Sequence, residues 1–342
     1  MVHAESRGRD EAEALLSEVM GSMQEFTNTR HNHLIDPAMH VWGWEIPLYL
    51  FLGGVAAGIM IFTGIRMLRK SEEETSTALG LLPWAAPLAI SLGMFFLWLD
   101  LEDPFNAWRF FLAFKLTSPM SWGSWILLGV YPVSILLAWV TTPESLKGGV
   151  NERLEGFTLF GKVDEWAKEN IPLLSALSIF VGAALGIYTG VLLGTMAARP
   201  LWNSALLGPL FLVSGLSTGA AFMLLFGLTD RERVFLGRAD MGLIAAELAI
   251  LGLWIVGLST GAGSSQAAVG MLFGGPYTAA FWTLVVALGL LAPLLGEWLE
   301  FKHGAVPGKG TAILVLLGGF ALRWILVFAG QGSGWVAEVA LR

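Results

Sequence analysis

Cysteine is absent from the 342 residues of this chain, which excludes disulfides, thiolate-held iron–sulfur clusters and haem attached through cysteine. Histidine is scarce. His3, His31, His33, His40 and His303 are the full set, and none falls inside a long apolar run. A haem b held between helices by paired histidines therefore has no ligands here, and the chain is expected to carry no redox centre of its own. Charge is sparse as well, at 14% of residues against about 25% in soluble domains. That excludes an ordinary soluble fold. The first 45 residues are polar and acidic and lack an apolar h-region, so no signal peptide is expected.

What is abundant is apolar sequence, 55% of residues, arranged in runs long enough to cross a bilayer, roughly 17–25 residues each. These runs fall at 46–68, 79–99, 120–141, 172–196, 205–228, 241–260, 277–296 and 311–330. The expected fold is an all-α integral membrane protein with eight transmembrane helices. An even number places both termini on one side. The 42 glycines, with many Ala and Ser, suit close helix packing in lipid, where small residues let backbones approach. Most of the 15 tryptophans stand near span ends and read as an interfacial belt.

Basic residues set the orientation. Arg66, Arg69, Lys70, Lys147, Arg153, Lys162, Lys168, Arg231, Arg233, Arg238, Lys302 and Lys309 occupy one set of alternate loops; the other holds only Arg109, Lys115 and Arg199. The positive-inside rule makes the first set cytoplasmic and both termini extracytoplasmic. A faint repeat relates Pro47–Gly53 to Pro209–Gly215, and Gly182/Gly194 to Gly318/Gly330, each pair four spans apart. It predicts two four-helix bundles, 46–141 with 172–196 and then 205–330, joined by a cytoplasmic connection at 142–171. Polar tails at 1–45 and 331–342 flank them, the first with a short amphipathic helix at Glu11–Met20.

Candidate chemistry gathers on the outward side. His40, Trp42, Trp44 and Glu45 precede or open span one, Asp100, Glu102 and Asp103 end span two, and Ser118, Ser121 and Trp122 open span three. Tyr188 and Thr189 lie about eight residues from the end of span four, roughly 12 Å deep, before Arg199 in the next loop. A phenol at that depth can hydrogen-bond a ligand entering from lipid. A quinone asks for such a place: an apolar slot, partners for two carbonyls and a proton route. Each residue also has a plainer reading as a solvated, packing or belt side chain. Elsewhere, Glu247 and Arg323 fall inside spans six and eight, where ionisable groups mark a pathway or an ion pair, and Asp240 stands just before span six. Thr260–Gln266 is Gly-rich but lacks the Lys and flanking strand of a phosphate cradle, so it reads as a plain connection. A secondary transporter and a passive membrane anchor are the alternatives to a quinone-reactive subunit.

The order and spacing of several motifs resemble the NrfD-like family, the membrane subunits of polysulfide reductase and its relatives. They are Trp44-Glu-Ile-Pro-Leu-Tyr49 with Gly53-Gly54, Asp100-Leu-Glu-Asp-Pro104 before Ala107-Trp-Arg109, and Ser118-Pro-Met-Ser-Trp-Gly123. Tyr188-Thr-Gly190, Pro200-Leu-Trp-Asn203, Leu322-Arg323 and Ala329-Gly-Gln331 complete the set. The resemblance spans about residues 40–335. It implies a multi-pass protein of a prokaryotic cytoplasmic membrane that exchanges electrons between menaquinone or ubiquinone and an extrinsic, ferredoxin-like iron–sulfur subunit. That partner would serve a catalytic subunit, of molybdopterin type, on the extracytoplasmic side. By the resemblance, Tyr188 and His40 contact the quinone head group, with Trp122, Thr189 and Arg199 as further quinone-site candidates. Glu45, Asp100 and Asp103 would handle its protons, and Glu247, Arg323 and Asp240 would form a transmembrane proton pathway.

Overall fold

Uninterrupted apolar sequence in lipid must satisfy its own backbone, and the helix does so within one segment. The computed structural model describes residues 42–69, 76–148, 158–196 and 198–334, and among them no strand occurs. Eight helices are long and apolar enough to span a membrane. They are α1 Glu45–Leu68, α2 Thr77–Asp100, α3 Pro119–Thr141, α4 Ile171–Gly194, α5 Leu207–Leu224, α6 Asp230–Ser259, α7 Thr278–Lys302 and α8 Lys309–Gly332. The all-α, eight-span architecture is therefore as expected. His3, His31, His33, His40 and the amphipathic run Glu11–Met20 lie outside the described residues.

The first four spans keep the expected ends closely, but α6 and α7 do not. α6 begins at Asp230 rather than 241 because Thr229 and Glu232 form a capping box: the Thr229 side chain accepts from Glu232 N while the Glu232 carboxylate accepts from Thr229 N. Hydropathy marks where a helix enters lipid; the cap marks where it starts. α7 runs on to Lys302, and its Phe281–Leu291 stretch is π-helical. A widened turn of this kind has no simple sequence signature and recurs at functional sites.

Two stretches read as connections contain helix. Thr158–Glu169 lies within 142–171, and Gly263–Gly270 overlaps the Gly-rich run. The first is clasped to the end of α3. Asp164 accepts from Trp139 Nε1 at 2.7 Å and pairs with Lys168 at 2.9 Å, while Lys168 also lies 3.7 Å from Glu144.

α1 and α5 are the most buried spans. α1 packs on α2, α4, α5 and α8; α5 packs on α1, α4, α6 and α8. Their crossing is built from glycine on both sides. A Cβ on Gly58 would stand 2.6 Å from Gly215 O and 2.8 Å from Gly219 Cα, and one on Gly219 would stand 2.6 Å from Gly58 Cα. Gly54-x-x-x-Gly58 and Gly215-x-x-x-Gly219 thus bring two backbones into direct contact. In lipid, where apolar burial drives little association, such contact supplies the packing energy.

Candidate functional site

Two polar constellations emerge from this packing. The first lies at the end of the molecule that carries Asp100 and the Gly194 end of α4. Tyr188 is buried within two turns of that helix end. Its hydroxyl lies against α3, where a Cβ on Gly123 would approach it to 2.2 Å, so glycine there makes room for the phenol. Among the described residues no hydrogen bond acts on this hydroxyl. Tyr49, one turn into α1 and buried, lies within electrostatic reach of Tyr188 and against Gly93 of α2. Two phenols from α1 and α4 thus share one interior region.

Two of the carboxylates at this end sit together. Gly43 N donates to Asp100 Oδ1 at 3.4 Å, and the Glu45 carboxylate folds back over Gly43, its Oε2 standing 2.2 Å from where a Gly43 Cβ would be. Asp103 is not part of this pair: it is exposed and accepts from Asn106 Nδ2 at 2.5 Å, closing a short turn. Thr189 spends its hydroxyl on Gly186 O of its own helix. Trp122 is half-exposed and donates from Nε1 to Leu116 O. Arg199 donates to Ser333 O at 3.0 Å, beyond the end of α8.

That neighbourhood forms a clamp between the two described ends of the protein. Gln331 pairs with the backbone of Trp42, accepting from its N at 2.9 Å and donating to its O at 3.0 Å. The Trp202 ring lies 5.4 Å from that of Trp42 and donates to Leu326 O at 2.7 Å. A Cβ on Gly330 would lie 1.8 Å from Trp202 Nε1, so this indole needs glycine beside it.

The second constellation is buried among α5, α6, α7 and α8. Arg323 is 1% exposed; it donates to Ser214 Oγ at 3.0 Å and Gly319 O at 2.8 Å, between the rings of Phe51 and Phe211. A Cβ on Gly54 would come within 2.7 Å of its Nη2, so α1 also yields space to the guanidinium. Glu247 faces Ser214 and feels the Arg323 charge. Seven residues back on the same face of α6, Asp240 accepts from Ser217 Oγ at 2.5 Å. Glu297 of α7, fully buried, faces Asp240, and neither of its oxygens closes a hydrogen bond among the described residues. Buried ionisable groups are costly in a membrane and mark functional sites by default.

The profile of the family described as Polysulphide reductase, NrfD matches residues 29–333. The chain belongs to the NrfD polysulphide reductase family. It is 31% identical over 315 residues to a polysulfide reductase chain of Wolinella succinogenes, covering 85% of this protein and 94% of that one. Protein NrfD of Escherichia coli is 31% identical over 304 residues, covering 85% and 95%. A selenate reductase subunit of Mesobacillus selenatarsenatis is 26% identical over 321 residues, covering 84% and 73%.

Within this NrfD-family protein, several motif residues have clear packing duties. Gly190, after Tyr188-Thr189, lets α4 touch α5, since a Cβ there would lie 2.1 Å from Leu207 O. Trp202 and Gln331 are the clamp just described. Sequence reading did not single out Glu297 or Tyr49 as site residues. Glu297 had a usable signal: with Phe281, Val285, Gly289 and Pro293 it continues a buried stripe at steps of four, past the end of the apolar run.

Proposed function

We propose that this protein is the quinone-interacting membrane subunit of a multi-subunit respiratory oxidoreductase. In this reading it exchanges electrons between membrane quinone and an extrinsic iron–sulfur subunit, which serves a molybdopterin-type catalytic subunit. The observation that carries it is Tyr188: a buried phenol, glycine-cradled, without a hydrogen bond among the described residues, within two turns of a span end. Such a donor inside an apolar helix packing suits a ligand that arrives through lipid. Two of the relatives bear the names of single components of a polysulfide reductase and of a selenate reductase, which agrees with a membrane subunit that works beside other chains.

Tyr188 would orient the quinone head group by hydrogen bonding, with His40, Trp122, Thr189 and Arg199 kept as further contacts of the same reading. On oxidation of a quinol, two electrons leave for the partner's cluster and two protons must be accepted. Asp100 and Glu45, side by side around Gly43, are the acceptors that connect the pocket to the surface, with Asp103 as an outer relay. Reduction of quinone runs the same steps backwards. Partners and both termini lie on the extracytoplasmic side, at the tyrosine end.

Glu247, Arg323 and Asp240 form the proposed proton pathway in a second four-helix group, α5–α8, beside a first group, α1–α4, that holds the tyrosines. The helix contacts support this division. α1 packs on α2 and α4 as α5 packs on α6 and α8, and the two groups meet where α5 packs on α1 and α4 and α8 packs on α1. Glu297, which faces Asp240, joins that pathway in this reading.

The test is the iron–sulfur EPR signal of the complex purified from its native membrane, followed on adding a reduced quinol. Reduction of co-purified clusters, blocked by a quinone-site inhibitor and weakened in Tyr188→Phe with assembly intact, is the expected result. A subunit that isolates without clusters and moves solute in vesicles without a redox partner overturns the reading in favour of transport. Unchanged quinol-linked turnover in both Tyr188→Phe and Asp100→Asn leaves only an anchor.

A further inference from the structure

The first three turns of α6 extend past the apolar run and carry a groove that the redox reading does not use. Asp230, Arg231, Val234, Phe235, Arg238 and Ala239 line it. Arg231, Phe235 and Arg238 follow one another at steps of four and three, so they share one face of the helix. Further cations from other helices gather at this end. Arg69, just past α1, lies over the Phe235 ring at 5.0 Å, and Lys302 of α7 lies over Trp298 at 5.0 Å. Arg238 itself lies over Phe301 of α7 at 5.7 Å. Of the nearby carboxylates among the described residues, Glu232 is engaged by Thr229 and Ser76 and Glu300 by Gly308 N.

The same face continues into the spanning part of α6 as a line of exposed small residues, Gly242, Ala245, Ala249 and Gly252, at steps of three and four. A Cβ on Gly242 or Gly252 would meet nothing within 4 Å, so no side chain of the described residues crosses the track at those points. From Gly242 to Gly252 the track covers roughly 15 Å of helix. Guanidinium groups at the mouth, an apolar floor of Val234, Phe235 and Ala239, and an open track beyond form one continuous amphipathic stripe. A free anion needs only the first of these. A phospholipid uses all three, and basic pockets at the end of a spanning bundle recognise anionic head groups.

We propose that this stripe binds an anionic phospholipid, with its phosphodiester between Arg231 and Arg238 and one acyl tail along Gly242–Gly252. The experiment is native mass spectrometry of the purified protein in mild detergent, titrated with phosphatidylglycerol or with phosphatidylcholine of the same acyl composition. Two arginines at a membrane surface predict roughly tenfold or greater preference for the anionic lipid. Arg231→Gln with Arg238→Gln should abolish that preference. Ala245→Leu with Gly252→Leu fills the exposed track while keeping every charge, and should weaken retention of the same lipid. Should the arginine double variant fail to fold, the track variant decides alone. Equal retention of the two lipids, or unchanged retention in either variant, overturns the proposal. Displacement of the lipid by millimolar inorganic phosphate would make it a free-anion site, and a dimer without bound lipid would make it a self-association surface; either result also overturns it.

Discussion

At the scale of single residues, hydroxyl engagement separates the side chains at the tyrosine end. Thr189 already satisfies Gly186 O, whereas the Tyr188 hydroxyl makes no hydrogen bond among the described residues. Loss of one ligand hydrogen bond, about 0.5–1.5 kcal/mol and more to a charged oxygen, corresponds to roughly two- to tenfold in rate, with tenfold the value for a charged oxygen. Tyr188→Phe should therefore lower quinol-linked turnover about tenfold, and Thr189→Val should leave it nearly unchanged, both measured by steady-state quinol oxidation in assembled complex. Arg323 follows a different logic. It is buried, bound to Ser214 and Gly319 O, and attracted by Glu247. Removing one partner of a buried charge pair typically costs about 3–5 kcal/mol, more than removing both. Arg323→Met should depress the Tm in detergent strongly, and adding Glu247→Gln should restore part of the loss. The sequence made Glu247 and Arg323 visible because charge inside an apolar run stands out. It hid Glu297, because a carboxylate just past such a run looks like an interfacial one.

At the scale of elements, the contacts that matter most are backbone to backbone. Gly58 and Gly219 leave no room for a side chain, and overpacking a filled interior costs typically about 1–3 kcal/mol. Gly58→Leu or Gly219→Leu should push α1 and α5 apart and lower the yield of folded protein, read by size-exclusion profile and thermal melt. Gly242→Leu on the open face of α6 should not. The start of α6 gives a second test. Thr229→Ala removes one half of the capping box and should cost about 1 kcal/mol locally, seen as faster hydrogen exchange over Asp230–Arg233. Span existence was legible from composition, since eight apolar runs in lipid can only be helices. The start of α6 was not, because the cap lies in polar sequence where hydropathy is silent. Nor was the π-helical stretch of α7, within which Gly289 lies against Gly318.

At the scale of the whole molecule, loops act as fasteners at both ends. At one end Gln331 ties Trp42 to the close of α8, and Gln331→Ala should open this clamp, measured as increased proteolysis near residue 42 with the spans still folded. At the other end Asp164 holds the helix Thr158–Glu169 to α3. Partial burial alone would raise its carboxyl, but hydrogen bonds from Lys168 and Trp139 and the charges of Lys168 and Lys147 win, and hold it below the ordinary aspartate range. A carboxylate depressed in the folded state stabilises above its unfolded pKa, about 3.9, and that contribution fades as pH falls through the lower folded value. Hydrogen exchange in this helix should therefore rise as the medium is acidified below about pH 4, and much less so in Asp164→Asn.

Composition by itself determined the membrane, the helical class, the number of spans and the lack of cysteine, because each follows from residue type alone. Motif order was sufficient to point to the NrfD-like family. Tertiary packing alone decided which polar groups meet: Tyr49 comes close to Tyr188, Asp240 faces Glu297, and Arg199 binds Ser333 O. Those pairings join residues far apart in sequence. They depend on how closely helices can approach, and that distance is set by glycines whose neighbours no linear reading supplies.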